Sequence, residues 1–120
     1  MTHAPRDASV YAQDILRAII QIEKYVKGET VETFSEDKKT QDAVVRNLEI
    51  IGEAVKRIPD ELREKYSSVS WRPAAAMRDF LIHEYPEVDV AAVWSTVKDD
   101  LPPFKLHVMN MCQAEEWATE

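Results

Sequence analysis

The stretch VVRNLEIIGEAVKRIP, residues 44–59, decides the fold. Large apolar residues recur along it at steps of four and three: Val44, Leu48, Ile51, Val55 and Ile58. This is the period of one face of an α-helix, so the spacing predicts a long helix over about Glu36–Ile58 with one buried side. Ser35 is the predicted N-cap and Pro59 ends the helix. Gly52 inside it costs roughly 1 kcal/mol relative to alanine, which predicts the close approach of a neighbouring helix.

A second helix with one apolar face precedes this stretch. Its apolar residues recur at steps of four, four, three and four: Tyr11, Ile15, Ile19, Ile22 and Val26. The pattern predicts a helix over about Ala8–Lys27, and Gly28 directly after it is a typical C-cap. Pro59 either only stops the long helix or also opens a short helical turn over residues 60–65, and YSSVSWRP, residues 66–73, is predicted to be a loop.

Three more helices are predicted in the second half of the chain. The first covers about Arg72–Glu84, with Ser70 as its N-cap and a core face of three residues: Ala74, Met77 and Leu81. The second covers about Val90–Asp99 behind the cap Asp89, with three inward residues: Val93, Trp94 and Val97. Leu101-Pro102-Pro103 breaks it, and the last helix, about Pro103–Trp117, buries three residues: Phe104, Val108 and Met111.

These elements predict one all-α domain over residues 1–120, an antiparallel bundle of four or five helices. The chain has 120 residues and only two glycines, too few for the many turns of a β-sandwich or barrel. Cys112 is the single cysteine, so neither a disulfide nor a thiolate metal cluster is expected, which fits a reducing cytoplasm. The N-terminus lacks the apolar run of a signal peptide, and no apolar segment is long enough to span a membrane.

The charge is uneven along the chain. The net charge of −7 argues against general nucleic-acid binding, since polyanions and acidic surfaces repel each other. Residues 56–83, with six basic and four acidic side chains, form the one net-positive third, while residues 84–120 carry two basic and eight acidic ones. The acidic third would suit a basic protein partner, and the alternative is that these charges are simply solvated helix faces.

The net-positive third contains Arg78, Asp79 and His83 near its end, and Tyr85 follows two residues after His83. On one straight helix Arg78 and Tyr85 lie roughly 20° apart, but Arg78 and His83 lie roughly 140° apart. The two would therefore face one groove only if the last turn distorts ahead of Pro86 or a second subunit supplies the other half. The helix C-terminus, Glu84 and Asp79 would all favour a charged imidazole, so His83 could titrate near neutral pH.

An arginine and a histidine without a metal site can catalyse attack by a ribose 2′-hydroxyl on its own phosphate. The histidine would move protons and the arginine would stabilise charge on the phosphoryl oxygens. The plain alternative is that His83 is a surface or capping residue, that Arg78 pairs with Glu84 or Glu87, and that Tyr85 packs as an amphipathic side chain. Spacing alone leaves both interpretations open.

The segment MRDFLIHEY, residues 77–85, resembles the HepT-like branch of the HEPN ribonucleases, whose signature is Arg-x4-His-x-Tyr. The resemblance extends over about residues 8–112, through VRNLEIIGEAVKRIP upstream and a Val-Asp, a Trp and a Leu-Pro downstream. Pro86-Glu87 departs from the aromatic-glycine pair often found after the tyrosine. The family implies a helical bundle that dimerises around the motif helix.

The resemblance also implies an activity, which is metal-independent RNA cleavage by the toxin of a type VII toxin–antitoxin pair. Transfer RNA is one candidate substrate, and no cofactor is expected. Arg78 and His83 would be the catalytic pair, with Asp79 in support. A small nucleotidyltransferase antitoxin would silence the toxin by adding AMP groups to Tyr85. Two other interpretations remain open at this point. The chain could be a non-cleaving nucleotide- or partner-binding subunit of a two-component nucleotidyltransferase, or a helical dimerisation protein whose motif is structural.

Overall fold

The computed structural model describes residues 7–79 and 89–118, and within these ranges every regular element is helical. The elements in chain order are α1 (Ala8–Val26), α2 (Val31–Ser35), α3 (Lys38–Arg57), α4 (Asp60–Lys65), α5 (Trp71–Ala75), a 3-10 turn (Ala76–Arg78), α6 (Val90–Ser95), a π-helical turn (Thr96–Asp100) and α7 (Leu101–Ala114). The predicted all-α bundle is confirmed. Within the described ranges, no helix combines the length and the apolar character that a membrane crossing requires.

The two long helices α1 and α3 pack along each other and form the centre of the core. Both predicted apolar faces are confirmed, and only Tyr11 among them is half-buried rather than buried. From α1 the core receives, among others, Ile15, Ile19 and Ile22, each with no exposed surface. From α3 it receives Val44, Leu48, Ile51 and Val55, also fully buried. Burial of such side chains stabilises a fold by about 1.5–3 kcal/mol each before entropy is counted.

The predicted start of α3 is wrong by two residues, because a short helix intervenes. Thr30 and Thr33 form a capping box that starts α2, and Phe34 from α2 is fully buried. Ser35 is therefore the last residue of α2 rather than a cap, and its hydroxyl donates to the Val31 carbonyl. The cap of α3 is Asp37, whose carboxylate accepts hydrogen bonds from the Thr40 hydroxyl and from the Thr40 backbone N–H, and these bonds lower the Asp37 pKa.

The helix predicted over residues 72–84 begins at Trp71 and tightens after one turn. The Trp71 indole N–H donates to two backbone carbonyls, those of Arg63 and Tyr66, which places Trp71 inside the fold rather than in a loop. Ser70 stands at the N-cap position but its side chain caps nothing. Ala74 and Met77 are buried as predicted, whereas Leu81 and the rest of that helix lie outside the described residues.

The predicted break at Leu101-Pro102-Pro103 is wrong, since α6, the π-helical turn and α7 follow one another in helical conformation. Proline has no N–H, so Pro102 and Pro103 cannot bond to the carbonyls one turn back. The Leu101 N–H reaches instead to Thr96, five residues back, and the prolines occupy the first turn of α7. Of the residues predicted to face inward from these helices, only Trp94 is half-buried.

A polar contact joins α4 to the end of α7. The Glu115 carboxylate accepts hydrogen bonds from the Lys65 ammonium at 2.8 Å and from the Tyr66 hydroxyl. These donors lower the pKa of Glu115, and the same hydrogen bonds raise the pKa of Lys65 and of Tyr66. The contact therefore exists in one charge state, with Glu115 ionised and both donors protonated.

Candidate functional site

The turn that carries Arg78 crosses α3 at Gly52, as the interior glycine predicted. A Cβ added at Gly52 would lie 2.8 Å from the Arg78 backbone nitrogen and 2.9 Å from the Ala75 carbonyl oxygen. Both atoms belong to backbone, which cannot rotate away as the end of a flexible side chain can. The missing Cβ therefore lets the two backbones touch, and this contact fixes the height of Arg78 along α3.

The next residue of α3, Glu53, holds the Arg78 side chain. A guanidinium nitrogen of Arg78 lies 3.0 Å from a carboxylate oxygen of Glu53, and the two side chains are 30% and 48% exposed. Arg78 is thus neither buried nor free in solvent. Because a guanidinium presents five N–H donors in a rigid fork, this contact occupies only part of what Arg78 offers.

A polar groove borders the same face of α3. It has a volume of about 370 Å³ and is lined by Tyr11, Asp14, Arg46, Glu49, Ile50, Glu53, Ala54 and Arg57. Arg46 and Glu49 form an ion pair one turn before Glu53. The groove therefore presents both signs of charge around a half-buried isoleucine, and Glu53 belongs both to it and to the pair with Arg78.

The described residues contain part of the predicted site. Asp79 is exposed, and its backbone N–H closes the 3-10 turn after Arg78. His83 and Tyr85, together with the alternative arginine partners Glu84 and Glu87, lie outside the described residues. In the described ranges, His, Cys, Asp and Glu side chains form no group of three suited to a metal ion.

Sequence reasoning missed Glu53 as the partner of Arg78. It treated Glu53 only as part of the upstream pattern and considered acidic residues close to Arg78 in sequence. The available signal was the glycine beside it: an interior helix glycine marks a crossing, and its neighbours on that face are the residues that the crossing chain can touch.

Comparisons with known proteins identify relatives of the chain. The family model described as "Ribonuclease HepT-like" matches residues 15–111. A protein of Thermococcus cleftensis named a probable ribonuclease HepT is 50% identical over 95 residues, which cover 79% of this chain and 86% of that protein. A protein of Caldanaerobacter subterraneus named as a candidate RNase is 42% identical over 106 residues, covering 88% and 95%.

A longer relative also matches. A Methanocaldococcus jannaschii protein, named a gamma-glutamylcyclotransferase and candidate RNase, is 43% identical over 108 residues. The match covers 90% of this chain but 49% of that protein, so the chain spans about half the length of this relative. No solved structure matches the chain. The family model covers most of the chain, and the 3-10 turn with Arg78 and its Glu53 partner lie inside the matched range, so the chain belongs to the HepT-like ribonuclease family.

Proposed function

We propose that the chain is a metal-independent endoribonuclease, the cytoplasmic toxin of a toxin–antitoxin pair, acting as a homodimer. Arg78 and His83 are its catalytic pair. The observation that carries the proposal is the placement of Arg78: its backbone lies against Gly52 and its guanidinium against Glu53, within the range that matches the HepT-like ribonucleases. A cation held in this way offers a fixed position to a phosphate, as transition-state stabilisation requires.

The reaction follows from the two side chains. His83 takes the proton from a ribose 2′-hydroxyl, and the 2′-oxygen attacks the adjacent phosphorus. The bond from phosphorus to the 5′-oxygen of the next nucleotide breaks, and a protonated imidazole returns a proton to that oxygen. The products are a 2′,3′-cyclic phosphate and a 5′-hydroxyl, so no external reactant is consumed. Arg78 donates to the phosphoryl oxygens, where negative charge grows in the transition state. Asp79, exposed beside Arg78, supports the protonated form of His83.

The control of this activity would act at Tyr85. A nucleotidyltransferase antitoxin would transfer AMP to its hydroxyl and place phosphate groups beside Arg78. Such phosphates would pair with the guanidinium and repel RNA, so the modified toxin would be inactive. With Tyr85→Phe, cleavage should be largely kept and the modification lost. An AMP adduct found on this variant by mass spectrometry would place the modified residue elsewhere.

One observation favours a second function. The net charge is −7, and Arg78 already has a carboxylate partner in Glu53, both of which oppose binding of a polyanion. On this alternative the chain is a non-cleaving helical subunit of a two-component nucleotidyltransferase, and the surface around Arg78 binds a nucleotide or the partner. RNA cleavage by the purified chain distinguishes the two functions, since only the ribonuclease would cleave.

The test is cleavage of purified total tRNA in EDTA by the wild-type chain, Arg78→Ala and His83→Ala. The ribonuclease predicts cleavage by the wild type alone, while all three proteins have the same helical content and mass in solution. Cleavage that persists in both variants would exclude this catalytic pair. No cleavage by an unmodified, folded wild type would favour the binding subunit.

A further inference from the structure

The outward face of α7 carries apolar residues where a surface helix usually carries polar ones. Pro102, Leu106, Met109 and Gln113 follow one another at steps of four, three and four residues, so they form one row, the α7 row, about 17 Å long. All four residues are exposed, Leu106 by 56% and Met109 by 44%. The buried Phe104 lies roughly 160° around the helix from Leu106. Alternating steps of three and four are the spacing at which one helix packs along another.

A groove begins at the Pro102 end of the α7 row. It has a volume of about 300 Å³ and lies between the end of α1 and the π-helical turn. Buried apolar side chains, among them Val26 and Leu101, line it together with Pro102 and Glu29. One carboxylate oxygen of Glu29 is buried and accepts no hydrogen bond from the described part of the chain. Buried polar atoms in native proteins nearly always have a partner, so this oxygen calls for a donor.

The lysines around the groove do not supply that donor. The Lys98 ammonium lies over the Trp94 ring, 5.3 Å from its centroid, and the Lys105 ammonium donates to Glu23 at 3.0 Å. Lys27 also lines the groove, but it is exposed. A guanidinium or ammonium group from a partner, with its aliphatic chain on the apolar floor of the groove, would provide the missing donor.

The charges at the two ends of the α7 row decide which kind of partner fits. Asp99 lies three residues before Pro102, Glu116 lies three residues after Gln113, and both carboxylates are exposed. A second copy of α7 packed on the row would bring like charges together in either orientation, parallel or antiparallel. RNA would be repelled by the same carboxylates. A helix with apolar residues at three-four spacing and basic residues at its ends matches the row in both respects.

We propose that the α7 row and its groove dock an amphipathic helix of a basic protein partner. The partner helix packs apolar side chains on Leu106 and Met109, and one of its arginines or lysines passes over Pro102 and donates to Glu29. The net charge of −7 attracts such a partner. The docking surface does not include Arg78, so it goes beyond the proposed ribonuclease and would remain in a chain that cleaves no RNA.

The apolar part of the surface is tested with a synthetic helical peptide. It carries leucines at the same three-four spacing and an arginine at each end, and a scrambled peptide of the same composition is its control. In fluorescence anisotropy with the whole chain, the helical peptide should bind at least about tenfold more tightly than the scrambled one. Leu106→Ser and Met109→Ser should each weaken its binding about tenfold, because they remove exposed apolar anchors and leave the core intact.

Tyr25→Ser is the matched control for these two variants. Tyr25 is 41% exposed, but it points roughly 160° away from Glu23, the α1 residue that contacts Lys105 of α7. The substitution removes an exposed apolar side chain outside the docking surface, so peptide binding should stay at the wild-type value.

Glu29→Gln tests the groove. It should not lower the Tm of the free chain, since the buried carboxylate oxygen has no hydrogen bond to lose. Binding of the arginine peptide should fall about tenfold, whereas a peptide with norleucine in place of both arginines should lose less than about twofold, because it has no cation to pair. Glu32→Gln removes the same charge from an exposed position in α2 outside the groove and should change neither quantity.

Failure of the wild type to bind the helical peptide, or equal binding of the helical and scrambled peptides, would overturn the docking surface. Binding that Leu106→Ser, Met109→Ser and Glu29→Gln all leave unchanged would overturn it too. Self-association of the wild type that Leu106→Ser abolishes in sedimentation would make a second copy the occupant and exclude the basic partner. Arg78→Ala separates the surface from the proposed function, since this variant should lose cleavage and bind the peptide like the wild type.

Discussion

Helix α3 meets its neighbours in two different ways. Against α1 it places whole apolar side chains, and the contact runs along most of both helices. Against the turn that carries Arg78 it places bare backbone at Gly52 and one carboxylate at Glu53. The first contact buries a row of apolar side chains from both helices, and the second supplies the position of one cation.

The difference between the two contacts indicates where the chain tolerates substitutions and where its backbone geometry depends on a single residue. The α1–α3 contact, called the seam below, consists of many apolar side chains and can lose one of them and keep its geometry, at a cost in stability. The backbone crossing at Gly52 cannot tolerate a change in this way, because a single added carbon must move the whole turn. Stability and site geometry should therefore respond to different substitutions in the same helix.

The largest effect on stability is expected at the seam. Leu48→Ala removes a fully buried side chain and should lower the free energy of unfolding by about 2–5 kcal/mol. RNA cleavage per folded molecule should remain close to wild type, because Gly52 and Glu53 are untouched. Urea denaturation measures the first quantity and initial cleavage rates at low temperature the second. Val31→Ala, at an exposed position, is the control and should cost little. A folded Leu48→Ala variant without activity would break the distinction between the two contacts.

Gly52→Ala should affect the site more than the fold. In a free helix the change would stabilise by about 1 kcal/mol. Here the new Cβ would lie within 3.0 Å of two backbone atoms, so we expect a net destabilisation of about 1–3 kcal/mol. Displacing the turn by a fraction of an ångström moves Arg78, and cleavage should fall on the order of 100-fold.

The sign of the stability change decides this prediction. A stabilised Gly52→Ala protein with full activity would mean that the turn does not press on α3. A destabilised protein with full activity would mean that the crossing holds the fold and that Arg78 needs no exact position. Denaturation and cleavage measured on the same sample separate these outcomes.

The same contrast explains what the sequence predicted well. Apolar periodicity is a repeated signal, so the buried faces of α1 and α3 could be predicted from it. The short helix Asp60–Lys65 has no buried residue, and its one signal was Pro59. Single-residue signals were less reliable. Ser35 and Ser70 resembled caps, but Ser35 ends α2 and Ser70 caps nothing with its side chain. Two prolines suggested a break, yet the chain stays helical, because a π-helical turn precedes them and they occupy the first turn of α7.

For the site, the sequence predicted the crossing at Gly52 but not the residue that holds Arg78. Ion-pair partners from distant parts of a chain carry no periodicity, and nearby acidic residues seemed equally suitable. The placement of Glu53 follows only from the angle at which the turn crosses α3. The roles of His83 and Tyr85 stay predictions that rest on the family resemblance.

Glu53→Gln tests the ion pair with Arg78 separately from the backbone contact at Gly52. The amide keeps a hydrogen-bond acceptor and loses the charge, and since both partners are partly exposed the stability should change by less than about 1 kcal/mol. Cleavage should fall about tenfold through kcat, because a less constrained guanidinium is misplaced in the transition state more than in the bound state. Glu49→Gln, one turn earlier and paired with Arg46, is the matched control and should keep kcat. A lower KM with unchanged kcat would instead mean that Glu53 only repels RNA.

The smallest effect is expected at the contact between Glu115, Lys65 and Tyr66, far from Gly52 along the chain. The Glu115 pKa is lowered below its ordinary value of 4.5, so ionised Glu115 contributes stability above that pH and the contribution disappears as the pH falls through the lowered value. The pKa of Lys65 and that of Tyr66 are raised above 10.5 and 10.0, so their contributions are present below those values. Glu115→Gln should therefore lower the Tm slightly at pH 7, and its difference from wild type should shrink on acidification below pH 4.5. Cleavage at pH 7 should not change. A Glu115→Gln protein with lost activity and an unchanged Tm would show that Arg78 is positioned through the whole bundle rather than by its contact with α3.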